Sequence, residues 1–539
     1  MKTTASILTL AASCAALSAG AADLAALQSN DVATILWHGE DGTTFWNGHS
    51  ERFIYPPAFA FTNRADAARY RFTVTDHALN QHVFDAGSAT ASLAPVWAEL
   101  PCEGFVRADC HALAADGSVL GPVGSRRFWK ATPFEPGAYP PAARSYDEAA
   151  ARAFAHTLDR HPALRTFVKT GRPDRTFIFS SYPSKMDSAL VLGMVQFATL
   201  RPDRRDDALK LARTAADYLI SVMQPADAPL AFFTPTYEAQ ENSPAAAKSY
   251  LGQNMLVYPA EVGRAFTALA GATGDDRYLD AAKKIASTYA RLQGEDGTWY
   301  LKMWEKDGQP VAPNRLVPFE VIDFMETLHD ATGEEAWRTV ADRAFAYVER
   351  GPLTSWNWEG QFEDVAPSKP YHNLTMYGPC STALYLLKRF PGDARRLAQA
   401  RDLLRLAEDQ FVMWRRPCYA DGRGWRAPYA APNPKTMQTD YLSWKWQPCV
   451  TEQYAWYLPV DASAGKLIET YLALYGATGN ALDLAKARAL GDAITRVQRE
   501  DGSIPTQWAE YSVTHDADWL NCHLAAARAL QALARVAAP

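Results

Sequence analysis

Cysteine is scarce in this chain, seven in 539 residues, and no two of them form a C-x-x-C pair. That excludes a zinc ribbon and a thioredoxin-like redox motif. Neither charge dominates: 54 Lys and Arg against 60 Asp and Glu leave a net charge of −6, which calls for no nucleic-acid partner. The P-loop, the dinucleotide fingerprint, the EF-hand and H-E-x-x-H are missing, so no cofactor and no metal is implied. Beyond the N-terminus no apolar run is long enough to span a bilayer, which leaves no integral membrane segment. What is present is a 48% hydrophobic composition, enough for a sizeable core, in a chain longer than one ordinary domain.

Residues 1–21 read as an export signal. Lys2 precedes an apolar run from Ile7 to Leu17, and Ala19-Gly20-Ala21 fits an A-x-A cleavage site. Leu10-Ala11-Ala12-Ser13-Cys14 offers a lipoprotein reading, with Cys14 acylated. Either way the expected location is periplasmic or secreted. Downstream stand Cys102, Cys110, Cys380, Cys418, Cys449 and Cys522. Cys102 and Cys110 sit where one β-hairpin would let them bridge, and buried free thiols are the other reading.

Three stretches repeat one another: Leu269–Asp275 (LAGATGD), Leu328–Glu334 (LHDATGE) and Leu474–Asn480 (LYGATGN). Two of them are followed, 21 residues after the Ala of ATG, by Gln293–Gly297 (QGEDG) and Gln498–Gly502 (QREDG). Self-similarity on this scale marks stacked supersecondary units. Each Gly suits a left-handed helix cap, and the Asp, Glu or Asn after it suits the next helix start. Tyr278, Ala282, Ile285, Tyr289 and Leu292 recur at helical spacing.

This pattern predicts about twelve helices. They lie near 146–159, 183–199, 205–223, 254–272, 275–293 and 317–331, then near 334–350, 373–388, 393–413, 463–477, 480–499 and 516–537. Paired as hairpins and closed on themselves, they make an all-α (α/α)6 toroid over residues 146–539.

The linkers alternate in length. Arg201–Arg204, Thr273–Gly274, Thr332–Gly333, Pro391–Gly392 and Thr478–Gly479 are tight, whereas 224–253, 294–316, 351–372, 414–462 and 500–515 are long. Loops that long are usually functional. Hairpin alternation gathers them at one end, over the N-termini of the helices expected to form the inner ring. Before the toroid, residues 22–131 read as a small all-β immunoglobulin-like sandwich. Its strands fall near 33–37, 53–61, 70–75, 93–100, 105–112 and 125–130, and the Pro-rich stretch 132–145 is the linker.

Tryptophan concentrates in or beside the long loops: Trp299, Trp304, Trp356, Trp358, Trp414, Trp425, Trp444, Trp446, Trp456 and Trp508. Indole faces stack on sugar rings, so a Trp-lined mouth suits an oligo- or polysaccharide. A β-sandwich ahead of a six-hairpin toroid with such a mouth resembles the α/α-toroid glycosidases of the glucuronidase and unsaturated glucuronyl hydrolase type. It resembles toroid polysaccharide lyases more distantly. The resemblance implies a carbohydrate-active enzyme and leaves the chemistry to particular residues.

Glycosidic hydrolysis needs a carboxylic acid and a second carboxylate. The segment Asp440–Asp461 offers Asp440, Glu452 and Asp461 among Trp444, Trp446, Trp456 and Tyr457. Aromatic surroundings raise a carboxyl's pKa, which makes Glu452 the first choice of acid. Asp461 also suits a helix cap. Glu320 and Asp323, at i and i+3 on an inner helix, form a second candidate pair. Asp187, Glu359, Glu363, Asp364, Asp516 and Asp518 are plausible but undistinguished. A β-eliminating lyase would instead use His372 and Tyr377. Arg423 and Arg426, in a basic stretch from Trp414 to Trp446, suit an acidic sugar. The expectation is an exported glycoside hydrolase acting on a uronic-acid-containing glycan, with a lyase or a glycan-binding protein as alternatives.

Overall fold

The computed structural model describes residues 21–34, 50, 52–239, 243, 245–358, 375–415, 447–453, 456–508 and 519–537. After helix α1 (Ala21–Ala33) and a β region come twelve long helices. They are α2 (Tyr146–Asp159), α3 (Pro183–Leu200), α4 (Arg205–Ser221), α5 (Tyr258–Thr273), α6 (Asp276–Leu292) and α7 (Phe319–Thr332). They continue as α8 (Glu335–Arg350), α9 (Tyr377–Arg389), α10 (Ala394–Phe411), α11 (Asp461–Thr478), α12 (Ala481–Val497) and α13 (Leu520–Ala537). Among the described residues no helix is long and apolar enough to cross a membrane.

Six of these helices close an inner ring. α3 packs on α5, α5 on α7, α7 on α9, α9 on α11, α11 on α13, and α13 returns to α3. Outside them α4, α6, α8, α10 and α12 each pack on the inner helix that precedes them, and α2 packs on α13. The toroid expected from the hairpin repeat is therefore present. Close approach within the ring depends on small residues. A side chain at Gly263 of α5 would place its Cβ 2.3 Å from the Phe324 ring of α7.

The repeated motifs fold into repeated devices. Gly274, Gly333 and Gly479 cap α5, α7 and α11 in the left-handed conformation, with φ of 69°, 70° and 69°. Asp275 and Asn480 then cap the next helices by accepting the N–H of Arg277 and Leu482. The two Q-x-E-D-G segments form matching turns at the other end. Gln293 donates to the Gly297 carbonyl at 2.8 Å and to Val340 of α8 at 3.0 Å. Gln498 donates to the Gly502 carbonyl at 3.0 Å and to Ala149 of α2 at 2.9 Å. Both glycines have φ of +93°, and a Cβ there would lie 2.3–2.4 Å from a carbonyl oxygen, of Arg343 or Arg152. Only glycine fits.

Tight turns follow the inner helices and long loops precede them, so the two sets lie at opposite ends. The ATG turns are thus remote from the loops of Trp299, Trp356 and Trp508, while Trp446 lies outside the described residues. Across the mouth β8 (Gln253–Met255) pairs antiparallel with β9 (Lys302–Trp304), joining two of the long loops. A further sheet of order β10-β11-β12 (Val412–Met413, Cys449–Gln453, Trp456–Pro459) belongs to the loop before α11.

The β region departs from expectation. Its main element is one five-stranded mixed sheet of order β1-β7-β6-β3-β4. The strands are β1 (Arg52–Phe53), β3 (Arg69–Thr75), β4 (Gln81–Ala86), β6 (Gly104–Leu113) and β7 (Val119–Lys130), with β1 parallel to β7. A two-stranded ribbon of β2 (Ala58–Ala60) and β5 (Thr90–Ser92) and a helical turn, Ala94–Trp97, pack with it around Phe53, Phe59, Phe72, Trp97, Val106 and Phe128. An immunoglobulin-like sandwich is not shown. The stretch read as a strand near 93–100 is that helical turn, started by Pro95 near its N-terminus. The first residues of the segment 22–131 form α1, which packs on α12 of the toroid.

Cys102 and Cys110 are free thiols, as are Cys380, Cys449 and Cys522. Cys110 points into the sheet core, where burial pushes its pKa up to about 11.

Candidate functional site

Residues on the inward faces of the ring line an axial cavity of 350 Å³. Three inner helices that are otherwise buried each carry a charged pair spaced i, i+3: Glu261/Arg264 on α5, Glu320/Asp323 on α7 and Lys466/Glu469 on α11. That spacing puts both members on one face. Lys185, Ser188 and Gln196 of α3, Tyr377 of α9, and Asn521 and Arg528 of α13 add to the polar lining. Every one of these helices starts at the long-loop end, so the cavity opens under the crowded mouth.

An aromatic group stands at that opening. Phe179 and Trp519 have ring centroids 4.0 Å apart, and Tyr182 lies 5.1 Å from Trp519. Nζ of Lys185 lies 4.6 Å from the Trp519 ring centroid.

The carboxyl pKa values are shifted in opposite directions. Glu320 is enclosed by the protein, and this desolvation raises its pKa against the pull of Lys466 and Arg264. Burial acts in the same sense on Asp323, one turn further along α7, but Arg264, Lys388 and Lys466 outweigh it and hold that carboxyl below its ordinary value. Nε of Arg264 lies 2.9 Å from Asp323 Oδ2, and Nζ of Lys388 lies 3.8 Å from Oδ1. Arg264 also feels Glu261, Glu320 and Glu469, so four carboxylates surround one guanidinium. Such an enclosure can keep one carboxyl protonated beside another that stays ionised.

Of the residues singled out from the sequence, Glu320 and Tyr377 line the cavity, and Asp323 sits behind Arg264 rather than in the lining. Asp461 does not line it: fully buried at the start of α11, it accepts the N–H of Ala462 at 2.6 Å and donates its own to Thr506 at 3.2 Å. Asp187 is buried in the wall near Glu238, and burial followed by the Glu238 charge drives its pKa well up. Glu238 itself accepts the Tyr218 hydroxyl on both oxygens, at 2.8 and 2.9 Å.

Glu452 lies on β11, and Trp456 and Tyr457 on β12; their side chains are outside the described residues. So are Glu359, Glu363, Asp364, His372, Arg423, Arg426, Asp440, Trp444, Trp446, Asp516 and Asp518.

The loop tryptophans correct an expectation. Trp299, Trp356, Trp358, Trp414 and Trp508 are each no more than 2% exposed. Trp299 donates to the Tyr289 carbonyl at 2.9 Å, and Trp414 to Glu408 at 2.9 Å. They pin the long loops to the ring, and Trp508 presents no face to a ligand. Glu261, Arg264, Lys466, Glu469 and Arg528 were not singled out from the sequence. For the first four the signal was the charged i, i+3 pair inside an apolar inner helix; Arg528 stands without such a pair on α13.

No protein-family model matches the chain. No curated protein matches it either. Solved structures of similar shape include the cellobiose 2-epimerase of Spirochaeta thermophila DSM 6192, at 15% identity over 74% of this chain and 98% of that one, with a TM-score of 0.49. A family 76 glycoside hydrolase from a bovine Bacteroides thetaiotaomicron strain aligns over 90% of this chain and 97% of its own, at 11% identity and a TM-score of 0.47. A sugar epimerase from a ruminal bacterium aligns over 72% and 99%, at 11% identity and 0.49. Likenesses at this level assign no chemistry to this chain, which has to come from the cavity.

Proposed function

We propose that the chain is an exported glycoside hydrolase acting on a uronic-acid-containing glycan, with its chemistry in the axial cavity. The observation that carries the reading is the placement of Glu261 and Glu320 in the first turns of adjacent inner helices, lining one enclosed space, with Glu320 pushed toward its protonated form by burial. In this reading Glu320 donates its proton to the leaving glycosidic oxygen. Glu261 is the second carboxylate that hydrolysis requires. Asp323 is a positioning residue: it fixes Arg264 beneath the pair, and Arg264 limits how far the Glu320 pKa rises. The amides of Gln196 and Asn521 and the hydroxyl of Tyr377 offer partners to sugar hydroxyls. Export rests on the N-terminal sequence alone.

Incubation with aryl glycosides and a panel of uronic-acid polysaccharides tests the reading. Release of saturated uronic acid is expected. New ultraviolet absorbance from an unsaturated uronate would replace the hydrolase with a lyase, a reading that Tyr377 at the cavity wall keeps open. No product from any substrate would overturn both.

A further inference from the structure

Six helices in a closed ring set three opposite pairs. With the order α3-α5-α7-α9-α11-α13, α11 stands across from α5 and α13 across from α7. The two carboxylates assigned to the reaction are on α5 and α7. The opposite wall bears Lys466 on α11 and Arg528 on α13, both lining the cavity. Side chains on a helix lean toward its N-terminus, and the N-termini of both helices are at the mouth. Their cationic heads are therefore displaced toward the level of Glu261 and Glu320. The Lys466 charge does reach Glu320 and Asp323 from across the cavity.

The other cations of this region are engaged. Arg264 and Lys388 share Asp323, and Arg389 pairs with Glu326 at 3.2 Å. Among the described residues, the side chains of Lys466 and Arg528 make no hydrogen bond and no ion pair, and each is half-buried on the ring. A half-buried cation without a close counter-charge is a ready partner for an anion that enters the cavity. An anion placed there, with a ring of hydroxyls attached, would extend back to the two carboxylates.

We propose that Lys466 and Arg528 form the subsite that receives the carboxylate of the uronic acid residue, and so set the preference for an acidic over a neutral sugar. This rests on the hydrolase reading for the position of the reacting bond, and on the ring geometry for the subsite itself.

The test compares an aryl glucuronide with its neutral methyl ester, using the full chain and the variants Lys466→Met, Arg528→Met and Lys466→Arg. Loss of one charge-assisted hydrogen bond is expected to lower the acid-over-ester ratio of kcat/KM by at least about 10-fold in each Met variant. Lys466→Arg should keep most of that preference. An unchanged ratio in both Met variants overturns the subsite while leaving hydrolysis standing.

A second measurement does not depend on turnover. Free glucuronate should bind more tightly than glucose by calorimetry, and the difference should vanish in Lys466→Met. If neither aryl substrate is cleaved but this binding difference holds, the hydrolase reading fails and the subsite stands. Equal binding of glucuronate and glucose to the unsubstituted protein overturns the subsite whatever the kinetics show.

Discussion

Where α1 and the sheet dock onto the outer helices, charge is buried beside close partners. Lys486 of α12 lies 2.9 Å from both Asp31 of α1 and Glu408 of α10, and Tyr471 and Trp414 donate to the same Glu408 at 2.7 and 2.9 Å. Arg52 donates to the carbonyls of Asp409 and Val412, while Asp409 accepts the N–H groups of Ile54 and Tyr55 at 2.6 and 2.8 Å. Even so, burial lifts the Asp409 pKa to about 6 against those donors and the Arg52 charge. The axial cavity holds a comparable density of charge. There Lys466 and Arg528 have no close partner among the described residues, and the Glu320 carboxyl is pushed up by burial. Desolvating an ion is tolerated at the junction because hydrogen bonds replace water. In the cavity that replacement is incomplete, which is the condition for a ligand to supply it.

The sharpest contrast is in stability. Lys486→Met leaves Asp31 and Glu408 buried without their shared cation, and removing one partner of such a pair costs about 3–5 kcal/mol. Lys466→Met removes no ion pair and should change stability by less than about 1 kcal/mol. Denaturant unfolding of the two variants checks this, and equal losses would erase the distinction between the regions.

Acid should act on the junction next. Burial raises the Asp31 pKa, but Lys486 and Arg405 outweigh it and bring it down to about 2. A folded-state value below the unfolded one means this carboxylate stabilises the fold above about pH 4. That contribution is lost as pH falls toward 2, and a shift of this size corresponds to roughly 2 kcal/mol. Asp31→Asn should flatten the stability profile in that window. An unchanged profile would mean that α1 is not held by this charge.

The smallest effect expected is on the cavity's titration. Arg264→Met removes a cation that lowers the pKa of both Glu320 and Asp323, so both should rise. With Glu320 active when protonated, the alkaline limb of the rate profile moves to higher pH. A shift to lower pH would contradict the assignment of Glu320 as the acid.

Much of the fold was legible because its punctuation is local. The ATG turns need only a left-handed glycine and a capping side chain, and Q-x-E-D-G needs only a glutamine within reach of the next outer helix. Both devices can be read from a few adjacent residues, and the alternation of short and long linkers then separates the two ends.

The sheet was less legible. β4 reads QHVFDA, an edge strand with polar residues and a half-exposed face, and it carries little of the β-branched signal that marked its neighbours. The tryptophans misled because loop position was taken for exposure, whereas a long loop over a ring needs large buried anchors. Glu320 and Asp323 were found from one helix. Their partners Glu261, Arg264, Lys466 and Arg528 come from three others, and only ring closure brings them together.

The most direct test of the central claim, that the axial cavity is the reacting site and Glu320 its acid, is the turnover of Glu320→Gln on an aryl glycoside that the unsubstituted protein cleaves. The amide keeps the shape but has no acidic proton to give. Turnover should fall by at least about 100-fold, or about 2.7 kcal/mol of barrier, with an unchanged unfolding midpoint. Turnover that survives intact would contradict the claim and return the acid to Glu452, on the loop strand before α11.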